Sequence, residues 1–137
     1  MKKIDNSCSS CAKISIWAFL PFLTIFLIVF MITATNVFAE TEVSIPNEAS
    51  DISCAESGTC FLQSEVTISV GESVIWHNDS VVIHTVTSGN TEDGPDGVFD
   101  SNIIISGDTF THTFTETGQY EYFCSIHPWM TGIVIVV

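Results

Sequence analysis

From Cys60 to the C-terminus the chain alternates apolar and polar residues. Val66, Ile68 and Val70 are separated by Thr and Ser, and Val74 and Trp76 resume the pattern after a Gly71-Glu72 turn. Val82, His84 and Val86 form a third run; Phe110, His112 and Phe114, spaced by Thr, form a fourth. A period of two puts such residues on one face of a pleated backbone, so each run predicts a half-buried strand. Gly118 punctuates before Tyr120-Glu121-Tyr122-Phe123, and Gly132 to Val137 (GIVIVV) is apolar on both faces, as a strand with neighbours on each side would be. Short strands at regular spacing, divided by glycine turns, predict an all-β sandwich or barrel. No stretch after residue 40 has helical periodicity. Residues 40–53 (ETEVSIPNEASDIS) are polar, contain Pro46 and lack a period, and read as a linker. Residues 92–100 (EDGPDGVFD) read as a solvated acidic loop, without the ligand spacing of a helix–loop–helix calcium site.

The N-terminal part follows a different pattern. No charge lies between Lys13 and Glu40, and Ile16 to Ile32 (IWAFLPFLTIFLIVFMI) is almost wholly apolar. Lys2, Lys3 and Lys13 precede that run, an arrangement that keeps the N-terminus inside and sends the rest across a membrane. Residues 1–39 therefore predict one hydrophobic helix, either a signal peptide cleaved after Val37-Phe38-Ala39 or a retained anchor. Both readings place the chain from Glu40 onward outside the cytoplasm, at the cell surface or in a periplasm or pseudoperiplasm, with the membrane met only through this segment. Cys8 and Cys11 have Cys-x-x-Cys spacing but no second ligand pair, and read as incidental thiols.

Charge narrows the function. The three Lys just named are the only basic residues, and Asp5 is the only one of 16 acids before Glu40, so the exported part carries 15 acids and no Lys or Arg. That excludes nucleic-acid binding and disfavours anionic membrane surfaces and phosphoryl chemistry, all of which need cationic contacts. The exported part holds Cys54, Cys60 and Cys124. Cys54 and Cys60, six apart in a turn-like stretch, suit a small disulfide loop, which leaves Cys124 for another task.

Cys124 opens the run Cys124-Ser125-Ile126-His127-Pro128-Trp129-Met130, which sets a thiolate, an imidazole and a thioether at three-residue intervals between two predicted strands. His84 lies upstream in another. Two His, one Cys and a weak axial Met are the donor set of a mononuclear blue copper site. Soft sulfur favours Cu(I) and imidazole also suits Cu(II), so such a set holds both oxidation states with little rearrangement.

With these residues the chain resembles the cupredoxins, within them the plastocyanin/amicyanin type. The Cys-x-x-His-x-x-Met loop is similar to the short amicyanin loop. The pattern Trp76-x-Asn78, His84-Thr85-Val86-Thr87-Ser88-Gly89 and Gly97-Val98-Phe99-Asp100-Ser101, with a Cys pair ahead of the first strand, resembles small archaeal cupredoxins. The resemblance covers residues 54–137. It implies a Greek-key β-sandwich with one type 1 copper on His84, Cys124, His127 and Met130. It further implies that the Asn78 side chain braces the Cys-bearing loop, and that His127, Pro128 and Trp129 form an apolar patch through which the electron passes. His77 departs from the family pattern; alternation points it away from His84, and His112 reads as an exposed strand residue. Asn78-Asp79-Ser80 matches a glycosylation acceptor, a match the bracing role would make accidental.

The function so implied is one-electron transfer by a monomeric domain. Its partners would be redox proteins with a basic docking patch, such as a cytochrome or a membrane copper oxidase. Two other readings compete: a copper storage or delivery module, and a metal-free immunoglobulin-like surface module. An enzyme is disfavoured, because Phe123 and Ser125 flank Cys124 where copper oxidases and nitrite reductases place His residues leading to a second copper.

Overall fold

The computed structural model describes residues 40–137; the expected N-terminal helix, its cleavage and its anchoring lie outside the described residues. The alternating runs fold as strands in two sheets, except the run Val82, His84 and Val86, expected as a strand, which lies in an irregular connection where only His84 makes an isolated bridge, to Ile104. β1 (Thr41–Ile45), β3 (Ser73–Asn78) and β6 (Thr109–Thr113) form a three-stranded sheet in the order β1-β3-β6. β2 (Glu65–Ile68), β4 (Thr87–Asn90), β5 (Gly94–Asp100), β7 (Gly118–Phe123) and β8 (Thr131–Val136) form a second in the order β2-β8-β7-β4-β5. β1 runs parallel to β3 and β2 parallel to β8; the other pairings are antiparallel. β8, the run apolar on both faces, has a hydrogen-bonded neighbour on each side.

The inward residues of both sheets meet in one core. Trp76 is wholly buried, with its ring centroid 5.4 Å from Tyr122, 5.7 Å from Phe110 and 5.9 Å from Phe99. Burial of aromatic surface on this scale is the main stabilising term in a domain of this size. Gly132 sits directly across from Tyr122, and a Cβ there would overlap the phenol ring and come 2.8 Å from the Ser64 carbonyl oxygen. The ring lies over the strand at that point, so β8 needs glycine opposite it.

Four further expectations change. Residues 41–45 are not linker: Val43 and Ile45 are buried, and the strand pairs with β3 from Thr41↔Val74 to Ile45↔Asn78. The period of two spans only those two apolar residues before Pro46, too few to stand out. A 3₁₀ turn (Asn47–Ser50) and a short helix, α1 (Ser53–Ser57), follow, where no helical period was visible. Elements of about one turn never build a repeat, and Gly58, at φ +69°, stops α1. Gly94–Asp100 is strand β5 rather than a free loop. It is a sheet edge with only Phe99 buried, so it tolerates Pro95 and shows no alternation. His112, finally, is half-buried, with its ring 4.7 Å from Phe99 and 4.8 Å from Phe114.

Candidate metal centre

Three potential ligands converge at one end of the sandwich. Cys124 follows the last residue of β7, and Phe123 pairs with Thr131 at the start of β8, so residues 124–130 close a short connection between adjacent strands. The Met130 N–H donates to the His127 carbonyl (2.9 Å), and the Cys124 N–H donates to the Met130 carbonyl (3.1 Å). These two bonds wind the segment into one compact turn. His84 comes from the β3–β4 connection. Its backbone exchanges both bonds with Ile104, His84 N–H to oxygen at 3.2 Å and Ile104 N–H to oxygen at 2.8 Å.

The Cys124 Sγ lies 3.9 Å from His84 Nδ1 and 3.7 Å from His127 Nδ1, and the three donor atoms fall within 4.8 Å of one another. Two donors at roughly 120° around one ion, with bonds of about 2.0–2.3 Å, sit about 3.7 Å apart. The two sulfur–nitrogen separations therefore suit a single ion held between one thiolate and two imidazoles. Cys124 and His84 are fully buried and His127 half-buried; Cys124 is outside the disulfide that joins Cys54 to Cys60. Met130, also fully buried, ends the same loop. Among the described residues this is the one group of three or more His, Cys, Asp or Glu able to hold a metal.

A polar network orients the donors. The His84 Nε2 lies 3.0 Å from the Ser80 Oγ. Ser80 donates to the Asn78 Oδ1 (2.8 Å) and accepts from the Val82 N–H (3.2 Å), which leaves its oxygen to receive the imidazole N–H. A metal on Nδ1 would require the proton on Nε2, and the Ser80 oxygen stands where it would accept that N–H. The Asn78 amide donates to the carbonyls of Val82 (2.8 Å) and Ile104 (2.9 Å). Asn78 thus braces the loop that carries His84, not the Cys-bearing loop expected for it. It is fully buried, so the acceptor motif it heads is closed to glycosylation.

The thiolate is instead braced by Thr85. Its N–H donates to the Cys124 Sγ at 3.3 Å, and its Oγ1 accepts the Ser125 N–H at 2.8 Å. Sequence reasoning passed over Ser80 and Thr85. Their only signal is adjacency, Ser80 two residues after Asn78 and Thr85 next to His84.

Burial, reinforced by the neighbouring His127, lowers the His84 pKa from 6.5 to about 4. The imidazole is thus kept neutral, the form that binds metal. A folded-state pKa below the unfolded one means that the unfolded chain binds the proton first as pH falls. The contribution is fully present above about pH 6.5 and is lost as pH falls toward 4. Burial shifts His112 in the same direction. The melting temperature of the metal-free protein is therefore expected to fall steadily across this window. A flat profile would contradict the neutral, buried His84.

The two ligand-bearing loops and the residues flanking Ile104 expose apolar side chains. Val81 is 82% exposed, and Ile83, Ile103, Ile105, Ile126 and Pro128 are exposed as well. Trp129, expected at the surface, is only half-buried; its ring lies 5.3 Å from His127 and its Nε1–H donates to the Ala49 carbonyl (3.2 Å). His77 stands apart from the cluster, 3.9 Å from the Glu42 carboxylate.

Residues 49–137 match the family of copper binding proteins described as plastocyanin/azurin. The amicyanin of Paracoccus versutus is 34% identical over 116 residues, 78% of this chain and 87% of that protein. Among solved structures, a novel purple cupredoxin from Nitrosopumilus maritimus matches with a TM-score of 0.64 at 35% identity, over 71% of this chain and 99% of that one. A copper-containing nitrite reductase from Thermus scotoductus SA-01 matches with a TM-score of 0.55 at 27% identity; the match takes in 72% of this chain but 22% of the reductase.

Proposed function

We propose, for a chain that belongs to the plastocyanin/azurin family of copper-binding proteins, a role as an extracytoplasmic one-electron carrier. The observation that carries this reading is the convergence of the His84, Cys124 and His127 donor atoms, on loops held by backbone bonds. These three residues, with Met130 as the weak axial donor, would hold the single type 1 copper. When bound, copper supplies the chemistry by cycling between Cu(I) and Cu(II).

The protein's own part is to keep the donors still and dry. Ser80 and Thr85 fix the His84 ring and the Cys124 sulfur, so little has to move when the charge on the site changes. Burial of Cys124 and His84 excludes water. Half-buried His127, with exposed Ile126 and Pro128 beside it in the chain and exposed Val81 on the other ligand-bearing loop, offers an edge that a partner can approach closely. Four protein donors leave no open position for a substrate, which supports a carrier over a catalyst. Phe123 and Ser125 beside Cys124 support the same choice, and the part shared with the nitrite reductase is a fraction of that enzyme. Buried donors drawn from two loops also suit retention of the metal better than delivery. A metal-free surface module would give the converging donors no role.

The disulfide, the apolar N-terminal segment and the amicyanin relative support a location outside the cytoplasm. We place the start of the copper domain at β1 rather than at Cys54.

Partners would be redox proteins with a basic docking surface, steered by 15 acids unopposed by Lys or Arg. Because such steering is screened over about 8 Å at physiological salt, electron exchange with a basic cytochrome as probe should slow with ionic strength. A fall of about tenfold or more between low and physiological salt is expected. Val81→Asp should slow exchange further at constant colour, by placing a hydrated charge in the contact patch. A salt-independent rate, unaffected by Val81→Asp, would contradict this docking mode.

A further inference from the structure

The two loops that carry the potential ligands are tied to one small element that contributes no ligand. The Asn47 Oδ1 accepts the Val81 N–H at 3.0 Å, three residues before His84. The Ala49 carbonyl accepts the Trp129 Nε1–H at 3.2 Å, between His127 and Met130. Asn47 and Ala49 belong to the same 3₁₀ turn, so a single rigid piece reaches both loops.

That piece is pinned from every side. Before it, β1 is laddered to β3, and the Asp79 N–H donates to the Ile45 carbonyl (3.1 Å). Within it, the Ala49 N–H donates to the Pro46 carbonyl (3.1 Å) and the Ala49 side chain is fully buried. After it, the Cys54 N–H donates to the Asp51 carbonyl (3.0 Å), and Cys54 and Cys60 are joined, both buried, with the Cys54 Sγ 3.6 Å from the Ala49 carbonyl oxygen. The chain then returns to β1 through the Leu62 N–H and the Ser44 carbonyl (2.9 Å). Packing alone would need only apolar contact over the loops. Here each loop donates one directed hydrogen bond, and both are accepted two residues apart on one turn.

We propose that this disulfide-closed cap, Pro46 to Cys60, is a positioning device for the metal site, with Asn47 and the Ala49 carbonyl setting the spacing of the two ligand loops. The proposal rests on the copper reading of the same site for its spectroscopic consequence, but not for the bracing itself. Asn47 and Trp129 act through the loops and not on the metal. Trp129 thus has two faces, an apolar ring beside His127 and an N–H that anchors the loop.

The test uses the full chain with Asn47→Ala, Asn47→Asp, Trp129→Phe and the double variant Cys54→Ser/Cys60→Ser. In the metal-free protein, Asn47→Ala should make the Val81 amide exchange its hydrogen roughly fivefold faster, as loss of one modest hydrogen bond implies. Asn47→Asp keeps the acceptor oxygen and should restore the wild-type rate. In the Cu(II)-loaded protein, Trp129→Phe keeps the ring but loses the N–H, and should shift the relative intensities of the charge-transfer bands and the reduction potential. The double Cys variant should do both; if it fails to fold, the first three variants carry the test. Unchanged Val81 exchange in Asn47→Ala, together with unchanged bands and potential in Trp129→Phe, would overturn the proposal and reduce the cap to packing. A wild type that binds Cu(II) without colour would overturn the copper reading instead, while the Val81 exchange rates would still decide the bracing.

Discussion

Replacing Cys124 with serine is expected to abolish the visible charge-transfer band of the Cu(II)-loaded protein and to leave the sandwich folded. Of the converging donors, Cys124 alone supplies a thiolate, and the colour of such a site is electron transfer from that sulfur to the metal. A serine hydroxyl is a hard, protonated donor and cannot replace it. The fold should persist because the residue is small and the Thr85 N–H, now 3.3 Å from sulfur, can still find an oxygen there. Burying a hydroxyl in place of a thiol is expected to cost about 1–3 kcal/mol. Far-ultraviolet circular dichroism and a thermal melt of the metal-free variant check the fold, and the absorption of the Cu(II)-loaded variant checks the site. A coloured Cys124→Ser protein would remove Cys124 from the ligand set.

The second large effect is expected at Asn78, a residue that should never touch the metal. Its side chain donates to the carbonyls of Val82 and Ile104 and accepts from the Ser80 N–H and Oγ, all in a fully buried position. Asn78→Ala leaves these groups without partners and without water. The loss should be about 2–4 kcal/mol, since each orphaned buried group costs on the order of 1–3 kcal/mol and relaxation recovers part. In a domain of this size that lowers the melting temperature by roughly 10–20 °C. Freed from Asn78, Ser80 no longer fixes the His84 ring, so the Cu(II) spectrum should broaden or change as well. A melting temperature within a few degrees of wild type would show that the network is dispensable.

The sequence displayed best what repeats or what chemistry forces. Val66, Ile68 and Val70, or Phe110, His112 and Phe114, alternate because one strand face meets the core. In the GIVIVV run, Val134 and Val136 are buried in the core, while Ile133 and Ile135 on the opposite face are half-buried. Cys124, His127 and Met130 were visible because one turn must present them together, and His84 only because that loop gave it a meaning. The legible parts end where an element is short or lies at an edge. β1 buries two alternate side chains and α1 is five residues long, too short to state a period, while β5 lies at the sheet edge and buries Phe99 alone.

The bracing residues were illegible for a different reason. Asn78 could be picked out by its place before His84, yet which loop it braces depends on where Val82 and Ile104 stand in space. Ile104 is 26 residues away and meets His84 through an isolated bridge, which no local pattern announces. Thr85 reaches Cys124 across 39 residues of chain. Asn47 and Ala49 lie in a stretch whose composition reads as linker, and their partners Val81 and Trp129 are brought to them only by the folded sandwich.

The most direct test of the central claim is a Cu(II) titration of the metal-free protein followed by visible absorption. The account predicts an intense band in the orange-red region that grows linearly and saturates at one copper per chain, leaving a blue or green protein. Stoichiometric, tight binding of Cu(II) with no such band would mean that the Cys124 thiolate does not meet the metal, and would contradict the account.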